Sequence, residues 1–158
     1  MAKLVLMPEI LEGIRRSIYA TAVETGVRLF GTARNGTYLV RHLIGAGPNA
    51  VERQYTYQCD NDFAEAEFNR LLQMEPDLQW LGELHAHPLG YPLLSARDIR
   101  TARDVITGED ECLHPDEFIC GVLQRVNGGV RIHAVLFTRQ DLKGTEMEVI
   151  YDVCEKSA

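Results

Sequence analysis

The sequence predicts an α+β domain with a largely antiparallel or mixed sheet, and three observations carry that prediction. Runs rich in Val, Leu, Ile, Phe and Tyr are folded back at Arg34-Asn35-Gly36. A second pair of such runs is folded back at Asn127-Gly128-Gly129, and Asn-Gly is a strong hairpin signal because both residues accept positive φ. Apolar residues recur at helical spacing after Pro8, after Asn61 and after Ser95, so helices are mixed with the hairpins.

Residues 3–7 form a short apolar strand candidate, and Pro8 at a first helical position opens a helix to about Val23 with Leu11, Ile14, Ile18 and Ala22 on one face. Residues 25–31 and 37–44 make the first hairpin, and residues 53–59 alternate weakly enough to be read as a third strand. Asn61 or Asp62 can cap a helix whose buried face carries Ala64, Phe68, Leu71 and Leu72, ended by Glu75-Pro76-Asp77. Residues 78–87 follow as a strand, with Pro88 favouring an extended conformation at His87. Ser95 reads as an N-cap with Asp98 at the third helical position and Ile99, Ala102 and Val105 along one side. Residues 117–125 and 130–139 make the second hairpin, and residues 147–153 add a last strand.

A chain of 158 residues with 46% hydrophobic content supports one domain, residues 1–158, with a proper core. Net charge of -7 and a pI near 5.2 provide no basic stripe to neutralise phosphates, so nucleic acid is not an expected partner. Apolar runs are broken within a few residues by Arg, Glu or Gly, and the start MAKLVLMPEI has no signal-peptide pattern, so no membrane contact and a cytoplasmic location are expected. Cys59, Cys112, Cys120 and Cys154 show no C-x-x-C spacing and read as core thiols in a reducing compartment.

Chemistry concentrates in His85-Ala86-His87-Pro88, followed by Ser95 and Asp98. Alternate residues of a strand lie on one face about 6.6 Å apart, so His85 and His87 can chelate one ion. Histidine nitrogen and aspartate oxygen both suit zinc, and three protein ligands leave a fourth tetrahedral position open, as in catalytic sites. A plain helix start explains Ser95 and Asp98 equally well by itself, and the two roles can coexist. His42, His114 and His133 read as surface or satisfied strand histidines, and Cys112 with His114 supplies too few ligands for a second zinc.

The pattern of Glu24, His85-Ala86-His87-Pro88, Ser95 and Asp98 resembles the JAMM motif of JAB/MPN metalloproteases, with Glu24-Thr25-Gly26-Val27-Arg28-Leu29-Phe30-Gly31 placed after a first helix and entering a hairpin, as in that family. The resemblance spans roughly residues 4–138 and implies a single MPN-like domain: a curved mixed or antiparallel sheet flanked by helices. It implies one catalytic Zn2+ held by His85, His87 and Asp98, with Glu24 as general base and acid and Ser95 stabilising the oxyanion. Zinc brings the pKa of a water to about 7, and a neighbouring carboxylate can pass the proton to the departing amine. The implied activity is that of an isopeptidase or peptidase acting on a ubiquitin-like protein or its conjugates, with Tyr91 in the loop between ligands lining the substrate groove. Homodimers are common in the family, so the resemblance allows one. The compact length looks like a bacterial or archaeal member.

Two positions depart from the family: Ala86 stands where Ser or Thr is usual, and Leu94 where a proline often precedes the serine. Neither removes a ligand. Glu83 competes with Glu24 as base, since it shares the strand face of His85. The alternative reading is a catalytically silent MPN scaffold or partner-binding domain, against which the complete ligand set argues. A barrel amidohydrolase needs about 250 residues, and neither the H-x-E with P-C-x-x-C of zinc deaminases nor H-E-x-x-H occurs.

Overall fold

The computed structural model describes residues 1–20, 24–52, 57–87, 91–108 and 115–151. The elements in order are β1 (Lys3–Leu6), α1 (Pro8–Tyr19), β2 (Thr25–Arg34), β3 (Thr37–Ile44), β4 (Val51–Glu52), β5 (Tyr57–Gln58), α2 (Asn61–Met74), β6 (Gln79–Ala86), α3 (Ala96–Thr107), β7 (Glu117–Val126), β8 (Gly129–Thr138), β9 (Thr145–Glu146) and β10 (Glu148–Tyr151). Both predicted hairpins form, and their turns place Asn35, Gly36, Asn127 and Gly128 at positive φ.

The predicted α+β domain with an MPN-like, helix-flanked curved sheet is corrected by the structure. The described chain is mostly sheet: eight strands in the order β10-β1-β3-β2-β6-β7-β8-β9, accompanied by three helices. The two end strands are consecutive in sequence and separated only by Met147. The Met147 amide donates to Ala134 of β8 while the Glu148 amide donates to Ala2 beside β1, so one short segment joins the opposite ends and the sheet is nearly a barrel. Pairing is mixed: β1 runs parallel to both its neighbours, β6 runs parallel to β7, and the remaining pairs are antiparallel.

Several boundaries also shift. The first helix ends at Tyr19, short of Val23, and its side against the sheet is Ile10, Ile14 and Ile18, each worth about 1.5–3 kcal/mol on burial. Those isoleucines meet Leu4, Leu6, Val27, Leu29, Val40, Leu84, Ile119 and Ile132, so strands from across the sheet converge on α1. Asp60, and neither Asn61 nor Asp62, caps α2, its carboxylate accepting from the Phe63 amide at 3.2 Å. The predicted third strand falls partly on residues 53–56, outside the described residues, and β4 and β5 form a separate small ladder. The predicted last strand is divided into β9 and β10, with residues 152–153 outside the described residues. No helix among the described residues is long and apolar enough to cross a membrane.

One irregularity decides which way the histidines face. The β2–β6 register shifts between Leu29 and Phe30, opposite Gly82 and Trp80, so Leu81 is an extra residue in β6. Beyond this bulge Leu84 and Ala86 join Leu81 in the core around α1, while Glu83 pairs with Arg28 on the other side of the strand. At Gly82 a Cβ would stand 2.0 Å from the Ile119 carbonyl oxygen, which is fixed backbone of β7. Gly82→Ala is expected to cost at least about 3 kcal/mol, because strands β6 and β7 must separate to admit it. A urea unfolding midpoint within experimental error of the native protein would refute the close-approach argument.

Candidate metal centre

Antiparallel pairing sets Thr25 opposite Ala86 and Gly26 opposite His85. One step further along both strands lie Glu24 and His87, so sheet register alone brings the glutamate to the histidines across sixty positions of sequence. Ala86 is fully buried among the residues around α1, which leaves His85 and His87 on the opposite side of β6. A hydroxyl at this position would therefore enter apolar core, so residue 86 lies away from the site.

The fourth residue arrives on a helix. Ser95 caps α3, its hydroxyl accepting from the Asp98 amide at 3.1 Å while the Asp98 carboxylate accepts from the Ser95 amide at 2.7 Å. This reciprocal box fixes the Asp98 side chain in the first turn. Ala102 and Ile106 of the same helix are buried against Phe118, Cys120 and Phe137 of β7 and β8, which anchors the helix start over the end of β6. Leu94, the other departure, is packed against that cluster.

Three side chains converge closely. The two Nε2 atoms of His85 and His87 are 3.0 Å apart, and Asp98 oxygens lie 3.1 Å from His85 Nε2 and 3.3 Å from His87 Nε2. Ligand atoms about 2.0–2.1 Å from a tetrahedral zinc are separated by about 3.3 Å, close to the spacing of the two nitrogens and of each histidine to its own Asp98 oxygen, Oδ1 for His85 and Oδ2 for His87. Glu24 Oε1 lies further out, 3.9 Å from His87 Nε2, and one donor atom each of Glu24, His85 and His87 falls within a common 4.8 Å. All four side chains are largely buried.

The electrostatics separate the two carboxylates. Burial would raise Asp98, but hydrogen bonds with His85 and His87 and from the Ser95 amide outweigh it and hold the carboxyl well below its usual range. Glu24 is raised, chiefly by burial and with Asp98 adding to it, against the opposing pull of His85, His87 and Arg97. Its Oε2 is buried and has no hydrogen-bond partner among the described residues, an arrangement that costs stability and calls for a functional reason. His87 is raised, first by its hydrogen bond to Asp98. Nδ1 of His87 donates to the Tyr91 carbonyl at 3.2 Å, so loss of the Nε2 proton held toward Asp98 would present the Nε2 lone pair to an ion.

Ser95 reaches the histidines only through Asp98, and its hydroxyl, having accepted one bond, keeps its proton for donation. Tyr91 is 54% exposed and stacks on His87 with ring centroids 6.0 Å apart, beside the exposed Leu93. Glu83 is not part of the cluster, since it stands 3.9 Å from Arg28. His42 pairs with Glu75 and His133 with Glu146, so neither joins the centre. Of the cysteines, Cys120 is buried and its thiol raised by burial, and Cys59 is half-buried. Pro88, Cys112, His114 and Cys154 lie outside the described residues. The Tyr91 carbonyl is the functional group that the sequence reading missed, and a main-chain acceptor leaves no signal in residue type.

No protein-family model and no curated protein matches the chain. Among solved structures it is similar to the solution structure of protein DSY2949 from Desulfitobacterium hafniense, at 14% identity and a TM-score of 0.69 over 94% of this chain and 92% of that one. At that identity the likeness shows a shared fold alone.

Proposed function

We propose that this chain is a JAMM-type zinc hydrolase, an isopeptidase or peptidase that cuts at the C-terminal tail of a ubiquitin-like protein. One observation carries the reading: the His85 and His87 nitrogens lie 3.0 Å apart, each within 3.1–3.3 Å of an Asp98 oxygen, beside a glutamate with a buried oxygen that has no partner among the described residues. His85, His87 and Asp98 would hold the ion, because they are closest together and Asp98 is the carboxylate kept ionised. When bound, zinc supplies Lewis acidity, acidifying a water and polarising the amide carbonyl.

The side chains then have separate tasks. Glu24 takes the proton of the attacking water and delivers it to the departing amine, a role suited to a carboxylate whose proton affinity is raised by burial. The Ser95 hydroxyl donates to the carbonyl oxygen as negative charge builds there. Tyr91, exposed and stacked on His87, offers an apolar rim against which an extended tail would lie.

The cap and the donor role of Ser95 can be separated. Ser95→Ala is expected to lower stability by about 1 kcal/mol and the rate by about 100-fold to 1,000-fold. Ser95→Gly removes the same donor but costs the helix only a few tenths of a kcal/mol, so it should lose as much rate at nearly native stability. A Gly variant with the native rate would remove Ser95 from the chemistry.

The activity itself is tested by incubating zinc-loaded protein with a ubiquitin-like protein carrying a C-terminal fusion, and with the same protein joined to a lysine side chain. Mass spectrometry should show release at the end of the tail. Zinc-loaded protein that leaves both bonds intact would overturn the peptidase reading while leaving the metal centre standing.

A further inference from the structure

A second site lies at the other end of the same strands. A cavity of about 550 Å³ opens where β2 ends and β3, β6 and β7 begin, with Phe68 and Trp80 on its walls, Leu81 beneath, and Tyr38, Asp116 and Glu117 supplying polar groups. Along β6, Trp80 is about 16 Å from His85 by the strand rise, so this space is separate from the metal centre. Its volume is that of a small-molecule pocket.

We propose that this cavity binds a small organic cation with an aromatic or aliphatic body. The buried Tyr38 hydroxyl donates to Glu117 Oε2 at 2.5 Å, which aims the carboxylate and leaves it further acceptor capacity. Burial, and then the bond to Glu117, raise the phenol far above its usual range, so the Tyr38 hydroxyl keeps its proton and its role as donor. Asp116 is engaged by Arg139 at 3.0 Å, and no cationic side chain is among the described residues lining the cavity. Arg28 already lies over the Trp80 ring, 5.3 Å from its centroid, so the attraction for an ammonium group comes from the Glu117 carboxylate, which has no cationic partner among the described residues. An apolar body attached to it would be buried against Phe68, Trp80 and Leu81. The acidic balance of the chain, -7, adds attraction at longer range. A carboxylate ligand would be repelled, and a neutral one would lack the charge-assisted bond.

Trp80 is the only tryptophan, so its fluorescence reports occupancy directly. The zinc-loaded protein should be titrated with 2-phenylethylammonium, 2-phenylethanol and 3-phenylpropanoate, excited where only tryptophan absorbs. The amine is expected to give a saturable change, the alcohol to bind at least about tenfold more weakly, and the acid not to bind. Glu117→Gln, at an exposed position, should weaken the amine by about 10-fold to 100-fold, and Tyr38→Phe by less. No saturation with the amine, equal affinity for amine and alcohol, or full amine affinity in Glu117→Gln would each overturn the proposal. The amine and alcohol comparison uses the native protein and so stands whether or not either variant folds.

Discussion

Glu24→Gln is expected to lower cleavage by about 100-fold to 10,000-fold while leaving bound zinc unchanged. The substitution keeps the shape of the side chain and removes its ability to take up a proton. Its position is set by the pairing of β2 with β6, which does not depend on its charge. Because Oε2 of the native side chain is buried without a partner among the described residues, removing the charge should not lower the stability of the zinc-free protein. Glu83→Gln is the matched control: Glu83 faces Arg28 and not the histidines, so its loss should leave the rate within a few fold. Rate, zinc content and thermal midpoint should be read on the same samples. A Glu24→Gln enzyme with native rate, or a Glu83→Gln enzyme that is dead, would exchange or abolish the assigned roles.

The second large effect is the loss of metal in His85→Ala/His87→Ala. In the native protein, zinc at about 1,000 times its dissociation constant should raise stability by about 4 kcal/mol, and a chelator should reverse the gain. The double variant should show no response to zinc, since Asp98 alone cannot hold the ion. It also removes the hydrogen bonds that hold the Asp98 carboxyl low, so Asp98 is left in a largely buried setting with only the Ser95 amide against the effect of burial. Differential scanning measurements with and without zinc check both statements. An undiminished zinc response in the variant would place the ion elsewhere.

What the sequence made legible was local chemistry. Asn35-Gly36 and Asn127-Gly128 announce their hairpins because their turns require positive φ, which few other residues tolerate. Ser95 and Asp98 announce the start of α3 because a reciprocal cap needs an oxygen at each of those positions. His85 and His87 announce a shared face because strand alternation is two residues. The sheet's near-closure was not legible, since it depends on Met147 and Glu148 pairing with β8 and β1 from opposite directions, and neither residue type encodes that. The bulge at Leu81 was hidden in the same way, although it decides that the histidines face away from α1. Glu24 could be reached only by resemblance, because the register that brings it to His87 is a property of the folded sheet. The cavity beside Trp80 and the Tyr91 carbonyl both arise from backbone placement.

The most direct test of the metal centre is elemental analysis of the native protein after exposure to zinc and exhaustive dialysis, with His85→Ala/His87→Ala carried through in parallel. One zinc per native chain and none in the variant is the expected result. No zinc retained by the native protein, or equal zinc in both, would contradict the metal centre and the hydrolase reading built on it.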